Sequence, residues 1–236
     1  MEDRMARGGV RRYLDSVTPA EYLPDVGEVN LQELTLTGLC DLYGSDKGTI
    51  KHRYADIYEG IIYELTAKKN SGRKQCALRI AEVGIACGAS LRAFANYLPR
   101  AMVYGYDIRP ACGALCADLS NVEITITDPA GMAPPDAQFD IFIDDASHIS
   151  EKIVGMFDNC WQWVKPGGFY VIEDLKCTYD PAYTQQFKKI FDPAVVNDRA
   201  ALMGMMDVLM RRVDARHNSI GEFRYYPQML VIKKSD

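Results

Sequence analysis

From Ala77 onward, short runs of β-branched and aromatic residues alternate with stretches of helical periodicity. Such runs, bounded by polar turn residues, predict five strands. The predicted strands are Leu78–Val83, Met102–Asp107, Val122–Thr127, Phe139–Asp144 and Gly168–Glu173. Strands that alternate with helices are typical of a parallel sheet covered on both faces. The pattern therefore predicts an α/β fold with a doubly wound, Rossmann-like sheet.

The helical stretches differ in how clearly their pattern is marked. Ser150–Val164 is the most distinct, because its apolar residues recur at i, i+3, i+4, i+7, i+8 and i+11 from Ile153 onward. The other predicted helices are Ser90–Leu98, Pro110–Leu119, Ala182–Ile190 and Ala194–Arg212. Two β-rich runs, Glu222–Tyr226 and Gln228–Lys233, follow with only Pro227 between them. They predict an antiparallel pair at a sheet edge.

A small helical cap is predicted before the sheet. Asn30 and Glu33 have the spacing of a capping box, and a leucine stripe from Leu31 runs to Gly44. A second helix is predicted over Tyr54–Thr66, followed by a polar linker that ends at residue 74. We therefore divide the chain into a polar lead-in over 1–28, a helical cap over 29–74 and a main domain over 75–236.

The composition favours a folded protein of ordinary type. Of 236 residues, 48% are hydrophobic and 25% are charged, which excludes the disordered and coiled-coil classes. The net charge is −5 and the basic residues are scattered, which argues against a nucleic-acid partner. Seven cysteines without C-x-x-C spacing indicate neither a disulfide framework nor a zinc site. No apolar run is long enough to cross a membrane. We expect a cytoplasmic protein.

A glycine-containing turn follows the first predicted strand and precedes the first predicted helix of the main domain. It runs Glu82-Val-Gly84-Ile-Ala-Cys-Gly88-Ala-Ser90. Glycines at this point allow a ligand to approach the backbone N–H groups of a helix N-terminus. Asp107 ends the next strand, where a carboxylate can accept hydrogen bonds from both ribose hydroxyls. The spacing differs from that of dinucleotide sites, which favours S-adenosylmethionine over NAD.

Acidic residues and one histidine end two further strands. Asp144, Asp145 and His148 follow one strand, and Glu173 and Asp174 follow the next. Neighbouring parallel strands deliver these side chains to one edge of the sheet, where ligands bind in open α/β folds. Carboxylates this close repel one another unless a cation lies between them, and hard oxygen ligands suit Mg²⁺. The alternative interpretation is that these residues are helix caps and solvated loop residues.

Four motifs between Leu39 and Leu175 carry a resemblance to a known family. They are Tyr43-Gly-Ser-Asp-Lys-Gly48 with His52 and Tyr54 behind it, the Glu82–Ser90 turn, Asp144-Asp-Ala-Ser-His148, and Tyr170-Val-Ile-Glu173-Asp174-Leu175. Together they resemble the metal-dependent class I S-adenosylmethionine methyltransferases that modify the sugars of natural products. The first and third motifs are specific to this family. The chain departs from the family at Ala146, where a glycine is usual.

The resemblance implies a role for each site residue. It implies that Asp145, Glu173 and Asp174 hold Mg²⁺, and that His148 is the general base beside Asp145. The residues assigned to the cofactor are Glu82, Gly84, Gly88, Ser90, Asp107, Asp128 and Asp144. For Asp128 a turn role before Pro129 is an equal alternative. Lys47, His52 and Tyr54 are interpreted as a flap over the cofactor or acceptor; the alternative is a simple turn with Lys47 in water.

These observations predict Mg²⁺-dependent methyl transfer to a hydroxyl of a sugar, free or attached to a secondary metabolite. Two adjacent hydroxyls can chelate one metal ion, which lowers the pKa of the reacting oxygen. The expected partner is this small-molecule acceptor, with neither nucleic acid nor membrane, in a homo-oligomer. Two alternatives stay open: methylation of a catechol-like phenol, and an adenosyl-binding partner protein that assists an oxidative step. For Met203, Met205, Met206 and Met210 a place in the core or at a subunit interface is favoured over a place in the acceptor pocket.

Overall fold

One seven-stranded sheet organises the fold. The computed structural model describes residues 30–68, 72, 75–132, 138–190, 192–216 and 219–236. The strands are β1 (Arg79–Val83), β2 (Met102–Asp107), β3 (Val122–Ile126), β4 (Phe139–Asp144), β5 (Val164–Ile172), β6 (Ile220–Tyr226) and β7 (Met229–Lys234). Their order is β3-β2-β1-β4-β5-β7-β6, and β1 to β5 run parallel. The predicted doubly wound, Rossmann-like sheet is confirmed.

The antiparallel pair at the end of the chain is also confirmed, with one refinement. β7 lies between β5 and β6 and is antiparallel to both, so only β6 of this pair lies at an edge of the sheet, opposite the edge formed by β3. The first four residues of β7 are buried, whereas β6 is mostly half-buried or exposed. The more apolar of the two runs therefore takes the inner position.

Helices cover both faces of the sheet. In the described part of the chain they are α1 (Leu36–Leu42), α2 (Tyr54–Lys68), α3 (Ala89–Tyr97), α4 (Ser150–Cys160), α5 (Pro181–Ile190) and α6 (Ala200–Asp214). The alternation of side chains along β4 sends Ile141 and Ile143 to the face covered by α1, α2 and α3. It sends Phe142 to the face covered by α4 and α6. The cap helices thus share a hydrophobic core with the main domain.

The predicted capping box does not begin the first helix. Asn30 donates to Glu33 Oε1 at 2.8 Å, but residues Leu31–Glu33 form only a short 3₁₀ helix. The α-helix begins after Thr35, whose hydroxyl accepts from the Gly38 N–H at 3.0 Å. Leu36 N–H donates to Glu59 Oε1 at 2.6 Å, so a carboxylate on α2 satisfies the helix start as well. Because of this long-range contact the α-helix begins at Leu36 and not near Leu31, where the sequence predicted it.

Two other predicted helices are shorter than expected. α4 ends at Cys160 and a 3₁₀ turn follows, because Val164 already pairs with Phe139 in the sheet and Pro166 cannot continue a helix. Only Pro110–Ala114 is helical in the segment predicted to Leu119, and it is a 3₁₀ helix. Cys116 has a φ of 59° there, which ends regular helix.

The last helix begins later than predicted, at Ala200 rather than Ala194. Asn197 Oδ1 accepts from the Ser150 N–H at 3.0 Å, and Asp198 Oδ1 accepts from the Ala200 N–H at 3.0 Å. These bonds hold the preceding residues in an irregular loop. On α6, Met205 is buried in the core and Met206 packs against it, whereas Met203 and Met210 are exposed.

Parts of the predicted organisation fall outside the described residues. These are the lead-in over 1–28 and most of the linker after α2. Across the described ranges, the helices lack the length and apolar character that a bilayer crossing requires.

Candidate active site

The site lies where β1, β4 and β5 end side by side. Val83 is paired with Asp144, and Asp144 with Ile172, so the residues that follow these strands start from the same level. Gly84 follows β1, Asp145 follows β4 and Glu173 follows β5. The sheet register therefore brings the glycine turn and the acidic residues to one edge, as predicted from the sequence.

The carboxylates of Glu82, Asp145, Glu173 and Asp174 form an acidic cluster at this edge. A buried lysine from the cap lies among them. Lys47 is 2% exposed, and its Nζ lies 2.6 Å from Asp145 Oδ2, 2.6 Å from Glu173 Oε2 and 3.2 Å from Glu82 Oε1. Burial lowers the pKa of Lys47, but the three carboxylates override this effect and hold that pKa well above its usual value. One ammonium cannot balance three carboxylates. The alternative that placed Lys47 in water is wrong.

Two carboxylates of this cluster, those of Glu173 and Asp145, are harder to ionise than usual. Burial raises the pKa of Glu173 to about 7, although the Lys47 ammonium opposes the shift. Burial also raises the pKa of Asp145 well above its usual range. The hydroxyl of Tyr58 on α2 donates to Glu173 Oε1. Tyr58 was missed by the sequence reasoning; its position one helical turn after Tyr54 was the available signal.

A metal-binding geometry is present beside the lysine. Asp145, His148 and Asp174 each place one ligand atom within 4.8 Å of the others. Two carboxylates with excess negative charge suit a hard cation such as Mg²⁺, so these residues fit the predicted ion. Glu173 directs its carboxylate to Lys47 and Tyr58. Its assignment as a third metal ligand stays a prediction.

His148 stands at the rim of this cluster in a constrained conformation. Its φ is 51°, and its Nε2 lies 3.8 Å from Asp145 Oδ1. The imidazole packs against the Tyr183 ring, whose hydroxyl donates to the Ser147 carbonyl at 2.7 Å. Burial lowers the pKa of His148 below its usual 6.5. A neutral imidazole in this position can accept a proton.

The other flap residues also reach the acidic cluster. Tyr54 donates its hydroxyl hydrogen to Asp174 Oδ1 at 2.8 Å, and the His52 ring stacks on the Tyr54 ring. His52 Nε2 lies 3.5 Å from Asp174 Oδ1, and this buried nitrogen has no hydrogen-bond partner among the described residues. The loop after α1 therefore covers the metal-binding geometry.

The glycine turn has the backbone conformation that its residues predict. Gly84 has a φ of 85°, and a Cβ there would lie 2.2 Å from the Asp145 carbonyl oxygen. Gly88, with a φ of 77°, precedes the first residue of α3. Ser90 on α3 donates to Glu82 Oε2 at 2.6 Å, which ties the helix to the end of β1. The turn and the Asp145 loop are thus in direct backbone contact.

The remaining acids assigned to the cofactor differ in their surroundings. Asp107 ends β2 and is buried, yet hydrogen bonds from Arg109 hold its pKa below the usual value. Arg109 was not predicted from the sequence. Asp128 accepts from the Ala130 N–H at 3.0 Å, as a turn residue would. Burial raises the pKa of Asp144 to about 7, and its Oδ2 has no partner within the described residues. The cofactor assignments stay predictions.

Comparison with known proteins identifies the region that carries this site. Residues 80–168 match the family model of a methyltransferase domain, a span that runs from β1 into β5. The matched span contains the glycine turn and all or part of each strand that ends at the site. Asp107, Asp145 and His148 also lie within the matched span, whereas the cap, Glu173 and Asp174 lie outside it.

Curated relatives are sugar-related O-methyltransferases. The 8-demethyl-8-alpha-L-rhamnosyl tetracenomycin-C 2'-O-methyltransferase of Streptomyces olivaceus is 29% identical over 225 residues, which covers 84% of this chain and 54% of that protein. The L-olivosyl-oleandolide 3-O-methyltransferase of Streptomyces antibioticus is 36% identical over 117 residues, covering 45% of this chain and 30% of that protein. The chain therefore spans about half of the first relative's length. The resemblance predicted from the four motifs is confirmed.

A solved structure confirms the fold. The methyltransferase MycE from the mycinamycin biosynthetic pathway, in complex with Mg and S-adenosylhomocysteine (SAH), matches with a TM-score of 0.64 and 22% identity. The match covers 86% of this chain and 55% of MycE. The predicted class I methyltransferase architecture, with an antiparallel pair at the edge of the sheet, is therefore correct.

Proposed function

We propose that this protein transfers a methyl group from S-adenosylmethionine to a sugar hydroxyl of a glycosylated secondary metabolite, with Mg²⁺ as a cofactor. One observation supports this more than any other: the Gly84 turn touches the backbone of Asp145, a member of the acidic cluster. A methyl donor on the turn and a metal-held hydroxyl beside Asp145 would lie next to each other. The names of the relatives supply the acceptor class, since they specify rhamnosyl and olivosyl substrates.

In the proposed reaction each group of site residues has a separate role. Asp145 and Asp174 would hold the metal ion, which when bound fixes an acceptor hydroxyl and lowers its pKa. His148 Nε2 would accept the hydroxyl proton as the oxygen takes the methyl group, and SAH would leave. Asp107 and the glycine turn would orient the cofactor. Lys47 lies between the carboxylates of Glu82, Asp145 and Glu173 and offsets part of their negative charge.

The wider setting is part of the same proposal. We place the protein in the cytoplasm as a homo-oligomer, with a small-molecule acceptor and with neither nucleic acid nor a membrane as partner. Support comes from the net charge of −5 and from the seven cysteines, all of which are free thiols in the structure. Size-exclusion chromatography with light scattering will give the oligomeric state.

A transfer assay tests the proposed reaction. The purified protein is incubated with methyl-labelled S-adenosylmethionine, Mg²⁺ and separate acceptors: an aryl α-L-rhamnoside, free rhamnose and catechol. We expect labelled product from the rhamnoside, with the methyl group on a sugar oxygen by mass spectrometry. Label on catechol alone would favour the phenol alternative. Tight SAH binding with no transfer to any acceptor would favour the partner-protein alternative.

A further inference from the structure

A second cluster of functional side chains lies beside the acidic cluster. Arg199, just before α6, places its guanidinium carbon 4.7 Å from the centre of the Tyr179 ring. Its Nη2 donates to the Tyr225 hydroxyl at 2.7 Å. Tyr179 and Tyr225 are 52% and 48% exposed, so both rings offer surface to a ligand. The methyl-transfer mechanism uses none of these three residues.

Arg199 is an unfavourable residue for its position. Its φ is 65°, a left-handed conformation that favours Gly or Asn. It also places a positive charge at the N-terminus of α6, where the helix dipole disfavours cations. A strained residue of this kind persists only where its surroundings hold it, and such residues concentrate at functional sites.

Two sets of contacts link this cluster to the acidic cluster. The Asn197 side chain donates a hydrogen bond to the carbonyl of Cys177 at 2.9 Å, and Cys177 lies three residues after Asp174. The same side chain accepts a hydrogen bond from the N–H of Ser150, which lies two residues after His148. The strands give a second link, since Tyr225 pairs with Leu230, which in turn pairs with Ile172 at the end of β5. Tyr225 thus lies two strands from the acidic cluster, about 10 Å away at the usual strand spacing.

The chemistry of the cluster is that of a hydrogen-bond donor on an aromatic surface. Arg199 Nε is buried and lacks a hydrogen-bond partner among the described residues, and no described carboxylate forms an ion pair with the guanidinium. The Tyr225 hydroxyl accepts from Arg199 and keeps its own hydrogen to donate. The adjacent Asp198 carboxylate is engaged by the Ala200 N–H. Such a surface suits a flat ring that carries an anionic oxygen.

We propose that Arg199, Tyr179 and Tyr225 form a second acceptor subsite that binds the non-sugar part of the glycoside through an acidic oxygen on a planar ring. The oxygen is a carboxylate or an ionised enol or phenol, which accepts hydrogen bonds from Arg199 and Tyr225 while the ring lies against Tyr179. The subsite rests on the proposed function, because it takes the acceptor to be a glycoside. It determines which acceptors bind, whereas the acidic cluster carries the reaction.

Matched glycosides test the subsite by binding. The probes are 4-carboxyphenyl and 6-carboxynaphth-2-yl α-L-rhamnosides and their neutral methyl esters, titrated calorimetrically into the protein–SAH complex. We expect at least one acid to bind about tenfold more tightly than its ester, the difference that a charge-assisted hydrogen bond provides. Arg199→Asn should abolish this preference. Arg211→Asn, which removes a positive charge farther along α6, should retain it.

Stability separates a binding role from a structural one. Asn suits a left-handed residue before a helix, so Arg199→Asn should melt at or above the temperature of the parent. A lower melting temperature with an unchanged acid preference would show that Arg199 only braces the loop and would overturn the subsite. Equal binding of all acids and esters to the parent would overturn it as well. If the acid preference depends on Arg199 but no probe is methylated, the subsite stands and the proposed reaction is wrong.

Discussion

The guanidinium of Arg109 forms a bidentate ion pair with the carboxylate of Asp107. Its Nε lies 2.9 Å from Oδ1 and its Nη2 lies 2.9 Å from Oδ2, while the Arg109 backbone N–H also donates to Oδ1 at 2.9 Å. These are the oxygens that would accept the ribose hydroxyls of the cofactor. A cofactor bound at Asp107 would therefore compete with a hydrogen-bonded ion pair inside the protein.

We expect Arg109→Ala to bind SAH about two- to fivefold more tightly than the parent, because a partly exposed ion pair contributes up to about 1 kcal/mol. Asp107→Ala should have the opposite effect and weaken binding roughly tenfold, since the ribose hydroxyls lose their acceptor. Calorimetric titration with SAH measures both. Arg92→Ala, which removes a similar ion pair with Asp118, is the control and should leave SAH binding unchanged. Weaker binding by Arg109→Ala would mean that the arginine positions Asp107.

Chelation should abolish methyl transfer. EDTA removes the cation that Asp145 and Asp174 would share, and the acceptor hydroxyl then loses its orientation and its lowered pKa. Added Mg²⁺ should restore turnover, while SAH affinity, measured by calorimetry, should stay nearly constant throughout. Turnover that survives exhaustive chelation would assign the acidic cluster another role.

Replacement of His148 should slow the reaction without unfolding the protein. His148→Asn keeps a residue that tolerates the left-handed backbone but removes the proton acceptor, and general-base loss lowers rates by at least about 10²-fold. The measurements are kcat at saturating acceptor and the melting temperature. A variant with near-normal kcat and a lower melting temperature would leave His148 only a packing role against Tyr183.

Removal of the Lys47 charge should destabilise the fold. Lys47→Met leaves the buried carboxylates of Glu82 and Glu173, and the partly buried one of Asp145, without their ammonium. Removal of one partner of a buried pair costs about 3 kcal/mol of unfolding free energy. The loss should be larger at pH 8 than at pH 5, because the raised pKa values of Asp145 and Glu173 let these two carboxylates take up protons at the lower pH. Urea unfolding measures both. Lys165→Met breaks a more exposed pair with Asp140 and should cost about 1 kcal/mol or less; equal losses would contradict the special role of Lys47.

Strands of the central sheet were predictable because their buried faces leave a dense apolar pattern. The bounds of β2 and β4 match the sequence prediction residue for residue. Helix limits were less predictable where a distant group decides them, as Glu59 does for α1 and Ser150 does for the loop before α6. Local propensity carries no information about such partners.

The convergence of the acidic residues at one edge of the sheet was also predictable. Which cation offsets their negative charge was only partly predictable. Convergent carboxylates imply a cation, and the sequence favoured a metal ion. The structure adds the ammonium of Lys47, whose motif suggested a flap residue with no sign of near-complete burial. Lysine is seldom buried unpaired, so only the three-dimensional arrangement of Glu82, Asp145 and Glu173 accounts for its position.

The insertion of Lys47 also bears on where the chain can be cut. A fragment that starts at β1 would contain the whole matched span but would lack the ammonium, the Tyr58 hydroxyl and the apolar faces of α1 and α2. Its carboxylates would face one another in an uncovered core. We therefore expect the smallest fragment able to fold on its own to reach back at least to Leu36. Libraries that recombine this chain with its relatives should keep the cap and the sheet from the same parent.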